Sequence, residues 1–368
     1  MEKYRFTYQD IHRTVRSLAR RIGESGYRPD VIVAIGTGGF IPARMLRTFI
    51  DLPILTVGVA YYDKDNKPTN NPRKVQWIEE AERELRGKRI LLVDEVDDSR
   101  ATLEYCVREL IAHGPSSIAV AVIHNKLKEK RGAMPADVVL YLSGLDIDDK
   151  WVCYPWDAQD VDEHDSLAAE EKACAKKTLR QAMKNRLAAV GEAKRAEFGV
   201  VAATAARATA IYQRASLVLT FLSMPTELDT APLISGALAD GKRVAAPRIA
   251  GNDIEFVELD STWKSWPQDR WSIPVPPPAL PALTVEAIAA SASVLFAPGL
   301  AFDEDGGRLG RGKGYYDRFL SMIRMARNLD GNVPGAPFMA LGYGYSFQLV
   351  PAVPRSGSDA ALDGLVLA

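Results

Sequence analysis

The sequence predicts an α/β protein made of two domains. Short apolar runs alternate with helical patterns along the chain, which implies mostly parallel sheets with covered faces. At 368 residues the chain exceeds what one hydrophobic core usually serves. Two unrelated phosphate-type signatures, Leu91–Thr102 and Pro298–Asp317, stand about 200 residues apart, each in its own α/β pattern. Two catalytic units joined in one chain is the simplest reading.

Nearly half the residues are apolar and a quarter charged, as in ordinary soluble proteins. The net charge of −1 implies no general attraction to nucleic acid or membrane. Cys106, Cys153 and Cys174 form no metal-ligand spacing and point to a reducing compartment. The polar start, Met1–Phe6, is not a signal peptide, and no apolar run reaches the ~20 residues that span a bilayer. The chain is expected in the cytoplasm.

In order, Val31–Ile35 is a buried strand ending in the turn Gly36–Gly39. A helix follows over Ile41–Phe49 and a strand over Ile54–Val59. Residues 61–74, rich in Asp, Asn, Lys and Pro, read as a long loop. Ile90–Val93 is a strand, Ala101–Ala112 a helix, and Ile118–Ile123 and Val138–Tyr141 further strands. Asp157–Lys172 is acidic and lacks apolar periodicity, so the boundary falls there: residues 1–160 form the first domain, 161–172 a linker, and 173–368 the second.

The second pattern opens with helices over Ala173–Val190 and Glu192–Tyr212, with Leu179, Met183 and Leu187 on one face. Leu217–Phe221 is a strand, Thr230–Ala239 a helix and Val244–Ala246 a short strand. Residues 272–283 are Pro-rich and extended. Val294–Ala297 leads into the glycine loop, and Tyr315–Ala326 is the helix after it. No internal repeat relates the halves.

The first signature is a strand-to-helix turn. Leu91–Val93 ends at Asp94 and Glu95, and Asp98, Ser99, Arg100, Ala101 and Thr102 open the helix. Backbone N–H groups and the positive helix end suit an anion, and two hydroxyls add donors. Asp94 and Glu95 cannot grip a phosphate themselves, but they can bind Mg²⁺ or ribose hydroxyls. Taken alone, such a run is more often a solvated turn with Asp98 as helix cap. The turn Gly36–Gly39 adds a second close backbone approach, suited to pyrophosphate.

With Ala34–Arg44, Val75–Ile78, Val93–Leu103 and Lys150–Trp156, residues 1–160 resemble the type I purine phosphoribosyltransferases of the hypoxanthine, guanine or xanthine kind. The resemblance implies a phosphoribosyltransferase-type parallel sheet and Mg²⁺-dependent phosphoribosyl transfer from phosphoribosyl pyrophosphate to a 6-oxopurine. It implies that Gly36, Thr37, Gly38 and Gly39 hold pyrophosphate, and that Asp94 and Glu95 take the ribose hydroxyls and metal. Asp98, Ser99, Arg100, Ala101 and Thr102 would cradle the 5-phosphate, with Asp98 also a proton acceptor near the base. Lys126 would donate to the purine oxygen, Trp151 would cover the ring, and the Val152 backbone would read its edge. Without the neighbouring match, Trp151 would read as core. Thr37 stands where many relatives carry a basic residue, and Arg73 and Lys74 are expected to compensate.

The second signature, Gly306–Gly314, holds five glycines with Arg308, Arg311 and Lys313. Glycines admit a polyphosphate and the cations neutralise it, although the Gly-Lys-Ser/Thr ending of a P-loop is missing. Together with Lys176–Arg180, Phe221–Glu227 and Leu362-Asp363, it makes residues 173–368 resemble 5-formyltetrahydrofolate cyclo-ligase, also called methenyltetrahydrofolate synthetase. The resemblance implies an α/β domain with ATP as co-substrate. By that resemblance the formyl oxygen on N5 would attack the γ-phosphate of ATP, and N10 would then attack the activated carbon, closing the ring and releasing phosphate. By the same resemblance Lys176, Arg180, Arg308, Gly310, Arg311, Gly312, Lys313, Gly314, Tyr315 and Tyr316 bind ATP, with Arg311 and Lys313 catalytic. Met224, Glu227 and Tyr316 would contact folate, and Asp317 and Asp363 would bind Mg²⁺. Ser358 stands where relatives usually have His.

A rival reading keeps only the cyclo-ligase active and makes the first domain a phosphoribosyl pyrophosphate sensor or assembly module. The lack of a clustered Lys/Arg arm and the presence of Asp94, Glu95, Asp98, Lys126 and Trp151 favour catalysis. Expected partners are the small molecules above, with no nucleic acid and no membrane. Homo-oligomerisation stays open.

Overall fold

The computed structural model describes residues 3–62, 68–270, 272–329 and 337–368. They fall into two compact units, Met1–Glu171 and Lys172–Ala368. No helix among the described residues is long and apolar enough to cross a membrane.

The first unit runs β1 (Lys3–Arg5), α1 (Tyr8–Glu24), β2 (Val31–Gly36), α2 (Phe40–Arg47), β3 (Ile54–Tyr62), β4 (Pro68–Gln76), α3 (Ala81–Leu85), β5 (Arg89–Asp97), α4 (Ala101–Ile111), β6 (Ser117–Leu127), β7 (Val138–Asp148) and β8 (Trp151–Cys153). A six-stranded sheet has the order β4-β3-β2-β5-β6-β7. Only β3 and β4 pair antiparallel in it. Alternate residues of the central strands feed two cores. Ile32, Ala34, Leu91 and Val93 pack on one face, and Val31, Val33, Ile35, Ile90 and Leu92 on the other. Burial on both faces is why these strands read as unbroken apolar runs.

Two elements depart from the sequence reading. Helix α1 was not anticipated, although Ile11, Val15, Leu18 and Ile22 repeat at helical spacing and are buried. Thr7 and Asp10 start it with a reciprocal capping box. The expected loop 61–74 is largely strand, since β3 runs to Tyr62 and β4 begins at Pro68. An edge strand is held by backbone pairing, so polar composition does not forbid it. Residues 63–67 lie outside the described residues.

Helix α5 (Val161–Ala188) carries the chain from one unit into the next. The expected linker 161–172 is therefore helical. Asp160 Oδ1 accepts from the backbone of Asp162 and Glu163, and both acids sit favourably in the first turn. A mostly exposed helix needs little apolar periodicity, which is why the pattern looked broken.

The second unit continues with α6 (Glu192–Ala208), α7 (Ala210–Arg214), β9 (Leu217–Leu219), α8 (Ala231–Ala239), β10 (Arg243–Ala250), β11 (Asp253–Glu258), β12 (Ala282–Leu283), α9 (Val285–Ala289), β13 (Ser293–Ala297), β14 (Ala301–Phe302), β15 (Arg308–Leu309), α10 (Tyr315–Leu329), β16 (Phe338–Gly344) and β17 (Gly364–Leu367). Thr209 splits the expected helix 192–212, because its side chain caps α7 by accepting from Tyr212 N. The seven-stranded sheet has the order β12-β11-β10-β9-β13-β16-β17, parallel except at β10–β11 and β11–β12. The hairpin β14–β15 leads into the glycine loop.

Candidate active sites

In the first unit the signatures meet at the carboxyl ends of β2, β5 and β6, where open parallel sheets place ligands. The Gly36–Gly39 turn lies directly on the acidic end of β5. A Cβ on Gly38 would sit 2.2 Å from the Glu95 carboxyl carbon, and one on Gly39 would sit 2.6 Å from the carbonyl oxygens of Ile35 and Val93. At Gly39 the neighbours are backbone atoms, so only glycine fits there. The Gly36–Thr37 peptide is cis.

Burial lifts Asp94 well above the ordinary carboxylate range, and the charges of Glu95 and Asp97 add to this. Burial and then the Asp157 charge raise Glu95 to about 7, while Trp156 Nε1, donating at 3.2 Å, pulls it back in part. Such a pair favours a cation or hydroxyl donors over two bare charges. The donor set fits Mg²⁺ or ribose hydroxyls.

The fully buried Asp97 carboxylate braces the turn. It accepts from Arg100 Nε at 2.9 Å, Arg100 Nη2 at 2.7 Å and the Tyr141 hydroxyl at 2.8 Å. Arg100 sits at φ 67°, and its side chain is turned onto Asp97. It therefore offers a phosphate its backbone rather than its guanidinium. The Ser99 carbonyl accepts from Arg131 N and Gly132 N, both at 3.0 Å. Ala101 and Thr102 open α4, whose first-turn N–H groups have no intrahelical acceptor.

Lys126 lies inside β6, 7 % exposed, with Nζ 3.3 Å from Asp98. Lys128 also pairs with Asp98, and both lysines reach Asp149, at 3.7 and 3.1 Å. Burial pushes Asp98 up, but the Lys128 hydrogen bond and the Lys126 charge outweigh it and hold the acid below its usual range. Trp151, in β8, is 55 % exposed, so its ring is not core. Val152 is half-buried and pairs with Tyr4.

In the second unit a cleft of about 450 Å³ is lined by Lys176, Arg180, Glu227, the 308–318 loop, Ser358 and Asp359. Asp303, 3 % exposed, organises that loop by accepting from Gly307 N, Asp305 N and Val353 N at 2.6, 3.0 and 2.8 Å. Gly312 and Gly314 adopt φ 103° and 67°, which L side chains rarely take. Arg180 Nε donates to the Gly310 carbonyl at 3.0 Å, and Lys176 Nζ lies 2.5 Å from Asp359. Arg311 pairs with Glu227 at 3.0 Å, and Glu227 also accepts from Met224 N at 3.1 Å. Beyond this pair a second cleft of about 390 Å³ is lined by Lys184, Met224, Thr226, Arg270 and Arg311. Arg311 thus borders both spaces. Tyr315 and Tyr316 begin α10, and burial raises the Tyr316 hydroxyl.

Residues 172–368 match the model of the 5-formyltetrahydrofolate cyclo-ligase family, and residues 7–157 match the phosphoribosyl transferase domain. The chain belongs to both families. Among curated relatives, a hypoxanthine-guanine phosphoribosyltransferase of Schizosaccharomyces pombe is 38% identical over 194 residues, covering 45% of this chain and 94% of its own length. A 5-formyltetrahydrofolate cyclo-ligase of Mus musculus is 31% identical over 203 residues, covering 54% of this chain and 95% of its own. Among solved structures, a hypothetical protein from Neisseria gonorrhoeae with bound ppGpp is 48% identical, with a TM-score of 0.43, covering 46% of this chain and 97% of its own.

Three expectations from the sequence change. In the cyclo-ligase domain, Asp317 accepts from Arg308 Nη2 at 3.0 Å and from Ala360 N at 3.2 Å. Asp363 accepts from Ala340 N at 2.8 Å, faces Arg324 at 3.4 Å, and does not line the cleft. The two carboxylates do not share one site: Asp317 lines the cleft but is held by Arg308, whereas Asp363 lies outside it and is held by Ala340 N. The pair does not fit Mg²⁺, and no step is routed through a metal there. In the phosphoribosyltransferase domain, Lys74 does not replace a basic residue at Thr37. It pairs with Glu109 and lies 4.5 Å over the Trp77 ring.

Sequence reasoning missed Asp97, Lys128, Asp149, Tyr154 and Trp156. The Tyr154 hydroxyl donates to the Glu95 carbonyl at 3.1 Å and lies 2.8 Å from Nδ1 of buried His124, whose pKa burial lowers to about 3. Trp156 stacks on Tyr154 at 4.5 Å. The available signal for Lys128 was its place two residues after Lys126, in the bend that follows β6.

Proposed function

We propose that both domains are active in the cytoplasm. The first transfers phosphoribosyl from phosphoribosyl pyrophosphate to a 6-oxopurine, and the second closes 5-formyltetrahydrofolate to 5,10-methenyltetrahydrofolate with ATP. The reading is carried by one shared observation: each glycine turn closes on the charged groups its reaction needs. Gly38 abuts Glu95, and Gly310–Gly314 lines the cleft with Arg180, Arg311 and Lys313.

In the transferase, the N–H groups of Gly36–Gly39 take pyrophosphate, and the α4 N-terminus takes the 5-phosphate. Asp94 and Glu95 hold the ribose hydroxyls. Mg²⁺ held by these two acids would neutralise the departing pyrophosphate. Asp98, kept ionised by its lysines, accepts the proton of the base. Lys126 donates to the purine oxygen, and the exposed Trp151 ring covers the base, a contact worth ~1–3 kcal/mol in comparable sites.

In the cyclo-ligase, Lys176, Arg180 and Arg308 neutralise the triphosphate. Arg311 and Lys313 stabilise the transferring phosphoryl group, and Met224 and Glu227 position the folate. Two assays on the full chain test this. With phosphoribosyl pyrophosphate, Mg²⁺ and hypoxanthine, guanine or xanthine, a nucleoside monophosphate should form. With 5-formyltetrahydrofolate, ATP and Mg²⁺, methenyltetrahydrofolate should form. Failure with all three bases refutes the first activity, and absence of an ATP-dependent product refutes the second.

A further inference from the structure

We infer that Lys128 is a positioning residue for phosphoribosyl transfer, and that with Asp149 it fixes the orientation and charge of Asp98. This rests on the reading of Asp98 as the proton acceptor. Lys126 is near the end of β6, and Lys128 follows in a bend just beyond it, where its N–H donates to the Lys126 carbonyl at 3.0 Å; this turn brings both ammonium groups to the same acids. Asp98 approaches from the end of β5, and Asp149 from the residues after β7. The four charges interleave. Lys126 lies 3.3 Å from Asp98 and 3.7 Å from Asp149, and Lys128 pairs with Asp98 and lies 3.1 Å from Asp149.

The two lysines differ in burial and in task. The Lys126 side chain is 8 % exposed, and its ammonium is the one proposed to meet the purine oxygen. Once it turns to that oxygen, its hold on Asp98 weakens. Lys128, 29 % exposed, is then the cation left on the acid. It acts through Asp98 and not on the substrate. The other charges around Asp98 are already committed. Lys130 Nζ donates to the carbonyls of Asp97 and Asp98 at 2.6 and 3.1 Å and lies 3.5 Å from Asp97 Oδ1, while Arg100 is bound to the Asp97 carboxylate. Asp149 draws on both lysines and so moderates their pull on Asp98.

Opposite variants should therefore move Asp98 in opposite directions. Lys128→Met removes a cation, and the Asp98 titration and the acid limb of kcat/KM should move to higher pH. Asp149→Asn leaves both lysines to Asp98, and the same limb should move to lower pH. Lys128→Arg keeps the cation and should hold the limb near its wild-type position. The direct measurement is a ¹³C-carboxyl NMR titration of the substrate-free full chain, with the Asp98 resonance assigned by its loss in Asp98→Asn. Thermal melts of each variant check folding. Unmoved Asp98 titrations, or shifts of both variants in the same direction, overturn the proposal. The NMR measurement needs no turnover. A moved titration in a chain without transfer activity would sink the enzymatic reading alone, and normal transfer with an unmoved titration would sink the role of Lys128 alone.

Discussion

Replacing Asp317 with Asn separates two roles for that residue. The motif points to a metal ligand, whereas the structure makes Asp317 the counter-charge of a buried arginine. The Arg308 side chain is 4 % exposed and that of Asp317 17 %. Arg308 has further support from the Pro298 carbonyl at 3.2 Å and the Tyr316 ring at 5.3 Å. Asn keeps the shape and one acceptor oxygen for Arg308 and Ala360 N, but it removes the charge. Deleting one partner of a buried pair costs about 3–5 kcal/mol. With a neutral acceptor retained, roughly 2 kcal/mol should be lost. At about 2–4 °C per kcal/mol for a domain of this size, the midpoint should fall by about 4–8 °C. The assay is calorimetry of the full chain in EDTA, following the transition that ATP raises. An unchanged or higher midpoint, together with lost stabilisation by Mg²⁺, would refute the ion-pair role and restore the metal.

Lys313→Ala should fold normally yet lose cyclisation by ~10²-fold or more, because its cation acts on charge that develops in the transition state. Absorbance of methenyltetrahydrofolate reports it, and purine transfer should be untouched. Gly39→Ala would drive a methyl to 2.6 Å from two backbone carbonyl oxygens, so urea unfolding should show a loss of about 1–3 kcal/mol, with weakened transfer. Glu95 has a folded pKa of about 7 against a usual 4.5, so folding favours its protonated form. Stability in EDTA should therefore decline as pH rises from about 5 to 8, and Glu95→Gln should flatten that decline. Urea midpoints across this range that run parallel in the two proteins would count against it. Residues 1–171 and 172–368, expressed apart, should each keep their own activity, and loss of both would show that neither unit suffices alone.

Some elements were legible because their signal is local. Val31–Ile35 and Ile90–Val93 are buried on both faces and so appear as apolar runs. The glycine turns show their purpose in composition, since Gly38 and Gly39 sit where any Cβ would collide. Other elements hid for physical reasons. Strand β4 is polar because an edge strand relies on backbone pairing, and the start of α5 is polar because little of it needs burial. Helix α1 did carry an apolar stripe, but its many charged residues masked it.

By itself the sequence determined two α/β units and two phosphate-type turns, because a strand, a glycine turn and a helix start are consecutive in the chain. Only the tertiary structure decided what each charge faces. It turns Arg100 onto Asp97, Asp317 onto Arg308, Glu227 onto Arg311 and Lys128 onto Asp98. A motif fixes which side chains are present. Whether a carboxylate meets a metal, a proton or a guanidinium depends on the cation that folding brings within about 4 Å and on how much water remains between them.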